Sequence, residues 1–171
     1  MFIKTKQEAI RAIYEQSFFF DWTGFDKFRD DEEVAKYAIL KNVYSYQLIS
    51  KRLQEDDSII KQALSINGLM LKSMSKKIKS NKEYVLLAVR EEGTAIRYAP
   101  TWADDEEVAL AAVESNHEAS GYLSIRLQEL IGSRNPVEVL QQTIRIKKIN
   151  RNLNKNLPIN RNSRILRSQK L

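Results

Sequence analysis

The stretch "NKEYVLLAVREEGTAIRYA", residues 81–99, decides the fold because its pattern occurs four times in the chain. Tyr84, Ala88 and Val89 recur at i, i+4 and i+5, which gives one apolar face of a helix. Gly93 then interrupts the pattern, and a second short apolar segment follows it. The stretch therefore predicts a short helix, a break and a second short helix.

The same pattern begins 25 and 50 residues earlier and 24 residues later. The three other copies are "DEEVAKYAILKNVYSYQLI" (31–49), "DDSIIKQALSINGLMLKSM" (56–74) and "DEEVALAAVESNHEASGYL" (105–123). One position is always small, and the next position is always a larger aliphatic residue. These columns are Ala38, Ala63, Ala88 and Ala112, followed by Ile39, Leu64, Val89 and Val113. Because the four copies have the same kind of residue at several corresponding positions, the sequence predicts tandem repeats of 24–25 residues.

Helix starts and ends are marked in these units. Capping-box spacing joins Asp30 to Glu33, Ser80 to Glu83 and Asp104 to Glu107. Caps one residue later are the alternative, at Asp31, Asp56, Asn81 and Asp105. At the far end, a residue in the left-handed conformation is expected to stop the first helix. The candidates for it are Asn42, Asn67, Asn116, Gly68 and Gly93.

A helix of about ten residues is marginal alone in water, so such units must stack on one another. The sequence predicts an all-α fold of tandem helix pairs, arranged as a short α-solenoid or a superhelical bundle. Its expected parts are a degenerate capping repeat at 1–30, four repeats at 31–134, a terminal helix at 135–157 and an extended basic tail at 158–171. The terminal helix is expected to begin at Asn135-Pro136. Its apolar residues, at roughly helical spacing, are Val137, Leu140, Ile144, Ile149, Leu153 and Leu157.

Composition narrows the class of protein. The 171 residues fit one domain, and the lack of cysteine excludes disulfides and thiolate metal sites. No apolar run is long enough to span a bilayer, and the N-terminus lacks the pattern of a signal peptide. We therefore expect a protein of the cytoplasm, or of a virus particle assembled there, with no membrane association.

The net charge of +6 is distributed unevenly. Residues 145–171 hold nine of the 28 basic residues and no acidic one, so the first 144 residues carry a net charge of −3. Such a basic segment suits contacts with nucleic-acid phosphates. Docking on a protein through its apolar residues and a solvated tail are the alternatives. The candidate binding residues are Arg145, Lys147, Lys148, Arg151, Lys155, Arg161, Arg164, Arg167 and Lys170.

The most aromatic stretch is "SFFFDWTGF", residues 17–25. Its expected role is to close the apolar end of the repeat stack. The alternative is an aromatic anchor for a protein partner, because aromatic residues are enriched in the cores of interfaces. The anchor residues would be Phe18, Phe19, Phe20 and Trp22.

Residues 81–99 and 104–123 resemble a family of short α-helical repeats of bacteria, protists and large viruses. Units of this family read roughly D-K-E-x-V-L-x-A-V-x-x-x-G-x-A-L-x-Y-A. Gly93 matches the family glycine, whereas Val43 and His117 replace it in two other units. The family is one of unknown function. The resemblance implies tandem helix pairs and supplies no catalytic residue.

No motif in the sequence indicates catalysis. His117, the only histidine, lies at the break between two helices of a unit and is interpreted as a turn residue. The acidic clusters at 30–33, 55–57 and 104–107 suit helix N-termini better than a divalent ion. The five glycines are scattered, so no phosphate-binding loop is present. We expect no catalytic residue, no metal site, no cofactor and no small-molecule substrate.

These observations favour a non-enzymatic interaction or scaffold protein. Its repeat body would dock on a protein partner, and its basic tail would anchor it to nucleic acid or an acidic partner in a larger assembly, such as a nucleoprotein particle or virion. The rival is an effector or inhibitor that blocks a macromolecule through the repeat body. An enzyme whose site no motif reveals is the third hypothesis.

Overall fold

A computed structural model describes residues 3–15 and 24–156. This part of the chain is helical and contains no strand, which confirms the all-α class. Its α-helices are α1 (Lys6–Glu15), α2 (Glu32–Lys41), α3 (Lys51–Gln54), α4 (Asp57–Ile66), α5 (Lys76–Lys79), α6 (Lys82–Glu91), α7 (Glu106–Ser115), α8 (Ile125–Ile131) and α9 (Pro136–Asn156). None of these helices is long and apolar enough to cross a membrane.

Each ten-residue helix from α2 to α7 is followed by a 3-10 helix. The four 3-10 helices are Val43–Gln47, Gly68–Ser73, Gly93–Tyr98 and His117–Tyr122. A third short helix then closes the unit, namely α3, α5, the 3-10 helix Pro100–Trp102, or α8. The sequence predicted two helices per unit, and the structure has three. Ser50, Ser75 and Ser124 start α3, α5 and α8, because each hydroxyl accepts a hydrogen bond from the amide three residues later.

The ten-residue helices begin at the later of the two candidate caps. Asp31, Asp56 and Asp105 each accept backbone hydrogen bonds from the residues two and three positions on, and Asn81 accepts one from Glu83. The aspartates one position earlier do not cap these helices. Asp30 and Asp104 accept hydrogen bonds from Ser50 and Ser124, which start the third helix of the same unit.

The predicted left-handed helix ends are wrong. Asn42, Asn67 and Asn116 are extended, with φ near −150°, and each caps the following 3-10 helix through its side chain. Gly68 and Gly93 have no positive φ. Their small size is needed for another reason, which is close packing against the backbone of the next unit.

The ten-residue helices and the long α9 pack in chain order. α1 lies on α2, α2 on α4, α4 on α6, α6 on α7, and α7 on α9. The 3-10 helices contact one another in the same order. Between these two layers lies the hydrophobic core, in which the alanines 38, 63, 88 and 112 have no exposed surface. This order leaves α9 as the last helix of the row, with one side against α7.

Candidate binding site between α7 and α9

Five of the nine predicted basic residues lie in the described part of the chain, and all five are exposed on α9. They are Arg145, Lys147, Lys148, Arg151 and Lys155. The other four, Arg161, Arg164, Arg167 and Lys170, lie outside the described residues. The candidate aromatic anchor, Phe18, Phe19, Phe20 and Trp22, also lies outside them.

The second half of α9 has two chemically different sides. At 3.6 residues per turn, the cations at 147, 148, 151 and 155 share one side, which we call the basic face. Ile146, Ile149 and Leu153 share the opposite side, which we call the apolar stripe. The sequence predicted one apolar series that included Ile149 and Leu153. In the structure these residues lie on two sides of α9, because Leu140 is buried whereas Ile149 and Leu153 are exposed.

The basic face points toward the body of the protein. It borders a cleft of about 550 Å³ between the N-terminus of α7 and the second half of α9. The floor of the cleft is apolar, with Leu110 from α7 and Ile144 from α9. Its charged walls are formed by Lys82, Asp105, Glu106, Glu107, Lys147, Lys148 and Arg151.

Each carboxylate of the cleft is paired with a cation of the protein. Lys82 Nζ lies 2.9 Å from Asp105 Oδ2 and 2.7 Å from Glu107 Oε2. Glu106 Oε1 accepts hydrogen bonds from Lys147 Nζ and, at 2.8 Å, from Arg126 Nη2. Three cations therefore pair with the three carboxylates of the cleft, and Arg126 is shared with Asp104, whose Oδ1 lies 2.8 Å from its Nε.

The pKa values agree with these pairings. Burial raises the pKa of Glu106, but the hydrogen bonds from Lys147 and Arg126 outweigh it and leave the pKa below its ordinary value. Burial lowers the pKa of Lys82, and the hydrogen bonds to Glu107 and Asp105 more than reverse this effect. Glu106 and Lys82 are therefore both charged at neutral pH.

Lys148 and Arg151 take no part in these pairings. Neither forms an ion pair or a hydrogen bond with any residue that the structure describes, although both border the cleft. They are three residues apart, and three residues separate neighbours on a helix surface. The arrangement presents two adjacent positive charges that form no ion pair within the described residues, with Lys155 one turn further along.

Sequence reasoning found the cations of α9 but missed the residues that hold them. Lys82, Arg126 and Glu106 come from three other helices, and no local pattern relates them to position 147.

The structure also gives the positions of the other residues that were considered for chemistry. His117 is exposed at the first position of a 3-10 helix. Within residues 3–15 and 24–156, no three or more His, Asp or Glu side chains are grouped so as to hold a metal ion.

The fold and the site define an all-α protein with a charged cleft beneath its terminal helix. The model of one protein family, described as a domain of unknown function (DUF4116), matches residues 56–102. This span runs from the N-cap of α4 to Trp102 and includes the stretch 81–99. The cleft residues from Asp105 onward lie beyond it. No curated protein and no solved structure matches the chain.

Proposed function

We propose that this protein is a non-enzymatic interaction module that attaches to nucleic acid through the basic face of α9. The observation that supports it most is that every carboxylate of the cleft is paired within the protein, whereas Lys148 and Arg151 pair with no residue that the structure describes. Because the cleft carboxylates already have partners within the protein, Lys148 and Arg151 remain to neutralise phosphates. Lys155 and the basic residues beyond α9 would extend this contact along the backbone.

The body would act as the scaffold that presents α9. In this proposal, the units from α2 to α8 are tandem repeats that stack as a short solenoid, since no ten-residue helix can bury its apolar face alone. Lys147 has a different role from its neighbours, because its ion pair with Glu106 holds the basic face on α7. A larger assembly, such as a nucleoprotein particle or virion, would contain such a module.

The test is binding of a labelled DNA duplex by the full chain. Replacing Lys148, Arg151 and Lys155 by Gln should weaken binding at least about tenfold near physiological salt, because three phosphate contacts are lost. The matched control replaces Lys51, Lys76 and Lys77 by Gln, which removes the same charge from exposed positions away from α9. If both variants bind the duplex equally weakly, the loss of affinity comes from net charge alone, and the proposed site is refuted.

A chain truncated after Asn156 tests the segment beyond α9 separately. It keeps α9 whole and removes four of the nine basic residues. We expect a further loss of affinity. Competition by polyglutamate, with no competition by unlabelled duplex, would identify an acidic protein as the partner instead.

A second candidate function is supported by the row of 3-10 helices on the other side of the body. Tyr44, Leu48 and Tyr122 are 60%, 45% and 42% exposed there, although all three are large and apolar. The guanidinium of Arg97 lies 4.9 Å and 5.7 Å from the ring centres of Tyr98 and Tyr122. Tyrosine and arginine are the residues that dominate binding energy in protein interfaces.

This second surface would serve an effector that occupies a protein partner. The two functions separate in one comparison. Tyr44→Ala with Tyr122→Ala should abolish capture of a protein partner and leave duplex binding unchanged. The substitutions at 148, 151 and 155 should have the opposite effect. Loss of both activities in both variants would contradict the assignment of two surfaces.

A further inference from the structure

The apolar stripe of α9 is the most apolar exposed surface on the terminal helix. Ile146, Ile149 and Leu153 are 58%, 49% and 59% exposed, and they follow one another at spacings of three and four residues. This spacing places them in one line along the helix, as in the seam between two packed helices. Leaving three large aliphatic side chains in water is unfavourable, so the stripe indicates a partner.

The order of residues along the stripe is nearly symmetrical. Ile146 and Leu153 are equally far from the midpoint between residues 149 and 150. A second α9 that runs in the opposite direction would therefore place its Leu153 against Ile146, and the two Ile149 side chains would lie side by side, offset by about 1.5 Å along the axis. An interface between identical chains related by a two-fold axis requires this self-complementarity.

The charges around the stripe also permit such a pair. The residues beside it are mostly uncharged, namely Asn150, Asn152 and Asn154, and amides both donate and accept hydrogen bonds. Arg145, the one cation at the edge, would face Asn152 of the second copy rather than a like charge, because these two residues lie on the same edge of the stripe. The basic faces lie on the opposite sides of the two helices, where Lys147 is paired with Glu106. Pairing through the stripe brings no two positive charges together.

We propose that the chain self-associates through the apolar stripe, with two α9 helices packed antiparallel about Ile149. The proposal does not depend on the anionic partner, because it uses the other side of the helix. Three aliphatic residues per copy make a small contact, and small interfaces give weak, reversible association. Two copies would present two basic faces, so that a long anionic polymer would bind with increased avidity.

Cysteine cross-linking tests the arrangement directly, because the chain contains no cysteine. Under mild oxidation, Ile149→Cys should form a disulfide-linked dimer. Ile146→Cys mixed with Leu153→Cys should form a mixed dimer faster than either variant cross-links to itself. Leu40→Cys, at a 61% exposed position on α2, is the control and should stay monomeric. Faster linkage of Ile146→Cys to itself would indicate parallel helices and overturn the arrangement.

Light scattering after size-exclusion chromatography tests the association without cysteines. The average mass should rise above the 19.9 kDa of one chain as the concentration increases. Ile149→Gln with Leu153→Gln should hold the mass at that of the monomer. A wild-type chain that stays monomeric throughout overturns the proposal. The proposal is also overturned if the chain forms no dimer but sediments with phosphatidylserine vesicles, and if this sedimentation is lost in Ile149→Gln with Leu153→Gln. That result would identify a lipid surface as the partner of the stripe.

Discussion

Gly68 packs directly against the backbone carbonyl of Ala88, on the helix of the next unit. A Cβ atom at position 68 would lie 2.1 Å from the carbonyl oxygen of Ala88. Gly93 has the same relationship one unit later, where a Cβ would lie 2.1 Å from the carbonyl oxygen of Ala112. The glycine of one unit and the alanine of the next therefore set the distance between neighbouring units.

The first prediction concerns these glycines. Gly68→Ala and Gly93→Ala should each lower the free energy of unfolding by about 1–3 kcal/mol, because a methyl group must displace backbone. Gly121→Ala is the matched control, since nothing lies within 4 Å of a Cβ there. It should change stability by less than about 1 kcal/mol. Urea denaturation measures all three, and equal effects at the three positions would contradict the close approach.

The second prediction separates the two roles of Asp105. Its carboxylate caps α7, at 3.1 Å from the amides of Glu107 and Val108, and also pairs with Lys82. Asp105→Asn keeps a good cap and loses a partly exposed ion pair, so it should cost less than about 1 kcal/mol. Asp105→Ala loses both and should cost about 1–2 kcal/mol. A similar cost for the two variants in urea unfolding would show that the ion pair dominates.

The third prediction concerns acid pH. The hydrogen bond from Ser124, followed by that from Arg126, holds the pKa of Asp104 below its ordinary value. The hydrogen bond from Ser50 acts first in the same way on the pKa of Asp30, and Arg52 adds to it. A carboxylate with a lowered pKa stabilises the fold above its unfolded pKa of about 3.9. That contribution is lost as the pH falls through the folded pKa.

Carboxyl-carbon NMR titration measures this effect residue by residue. In Ser124→Ala, the pKa of Asp104 should rise toward its ordinary value, whereas the pKa of Asp30 should stay lowered. The second aspartate is an internal control, because its own serine and arginine remain in place. A pKa of Asp104 that does not change in Ser124→Ala would contradict the assigned cause.

The fourth prediction concerns a buried hydroxyl in the first complete unit. Ser45 is 1% exposed, and its Oγ has no hydrogen-bond partner among the residues that the structure describes. The corresponding positions of the other units hold Met70, Ala95 and Ala119. Ser45→Ala removes an unpaired buried polar atom, so it should raise stability by up to about 1 kcal/mol. If Ser45→Ala instead lowers the melting temperature, the Ser45 hydroxyl forms a stabilising hydrogen bond, and the prediction is wrong.

The sequence predicted the all-α class because that signal is local. Tyr84, Ala88 and Val89 define a helical face within six residues, and capping side chains mark the helix starts. The choice between Ser80 and Asn81 as the cap could not be made, because both residue types cap helices well. The 3-10 geometry of the second helices also has no distinctive residue pattern. The third helices, of three to seven residues, are too short to show a recognisable period.

The other features that sequence reasoning missed depend on contacts between distant parts of the chain. In the sequence, Gly68 is typical of a helix end. In the structure, a glycine is needed there because a side chain would collide with the carbonyl oxygen of Ala88, twenty residues away. The cations of α9 were all predicted as binding residues, because nothing near position 147 shows that Glu106 faces Lys147. The direction in which the apolar stripe points follows from the same contact, since the basic face and the stripe lie on opposite sides of one helix.

The salt dependence of duplex binding tests the proposed function most directly. The logarithm of the binding constant should fall linearly with the logarithm of the salt concentration. With Lys148, Arg151 and Lys155 replaced by Gln, the slope should become shallower by about 0.9 for each phosphate contact removed. The variant with Lys51, Lys76 and Lys77 replaced should keep the wild-type slope. Identical slopes for the wild type and the α9 variant would contradict phosphate binding by the basic face.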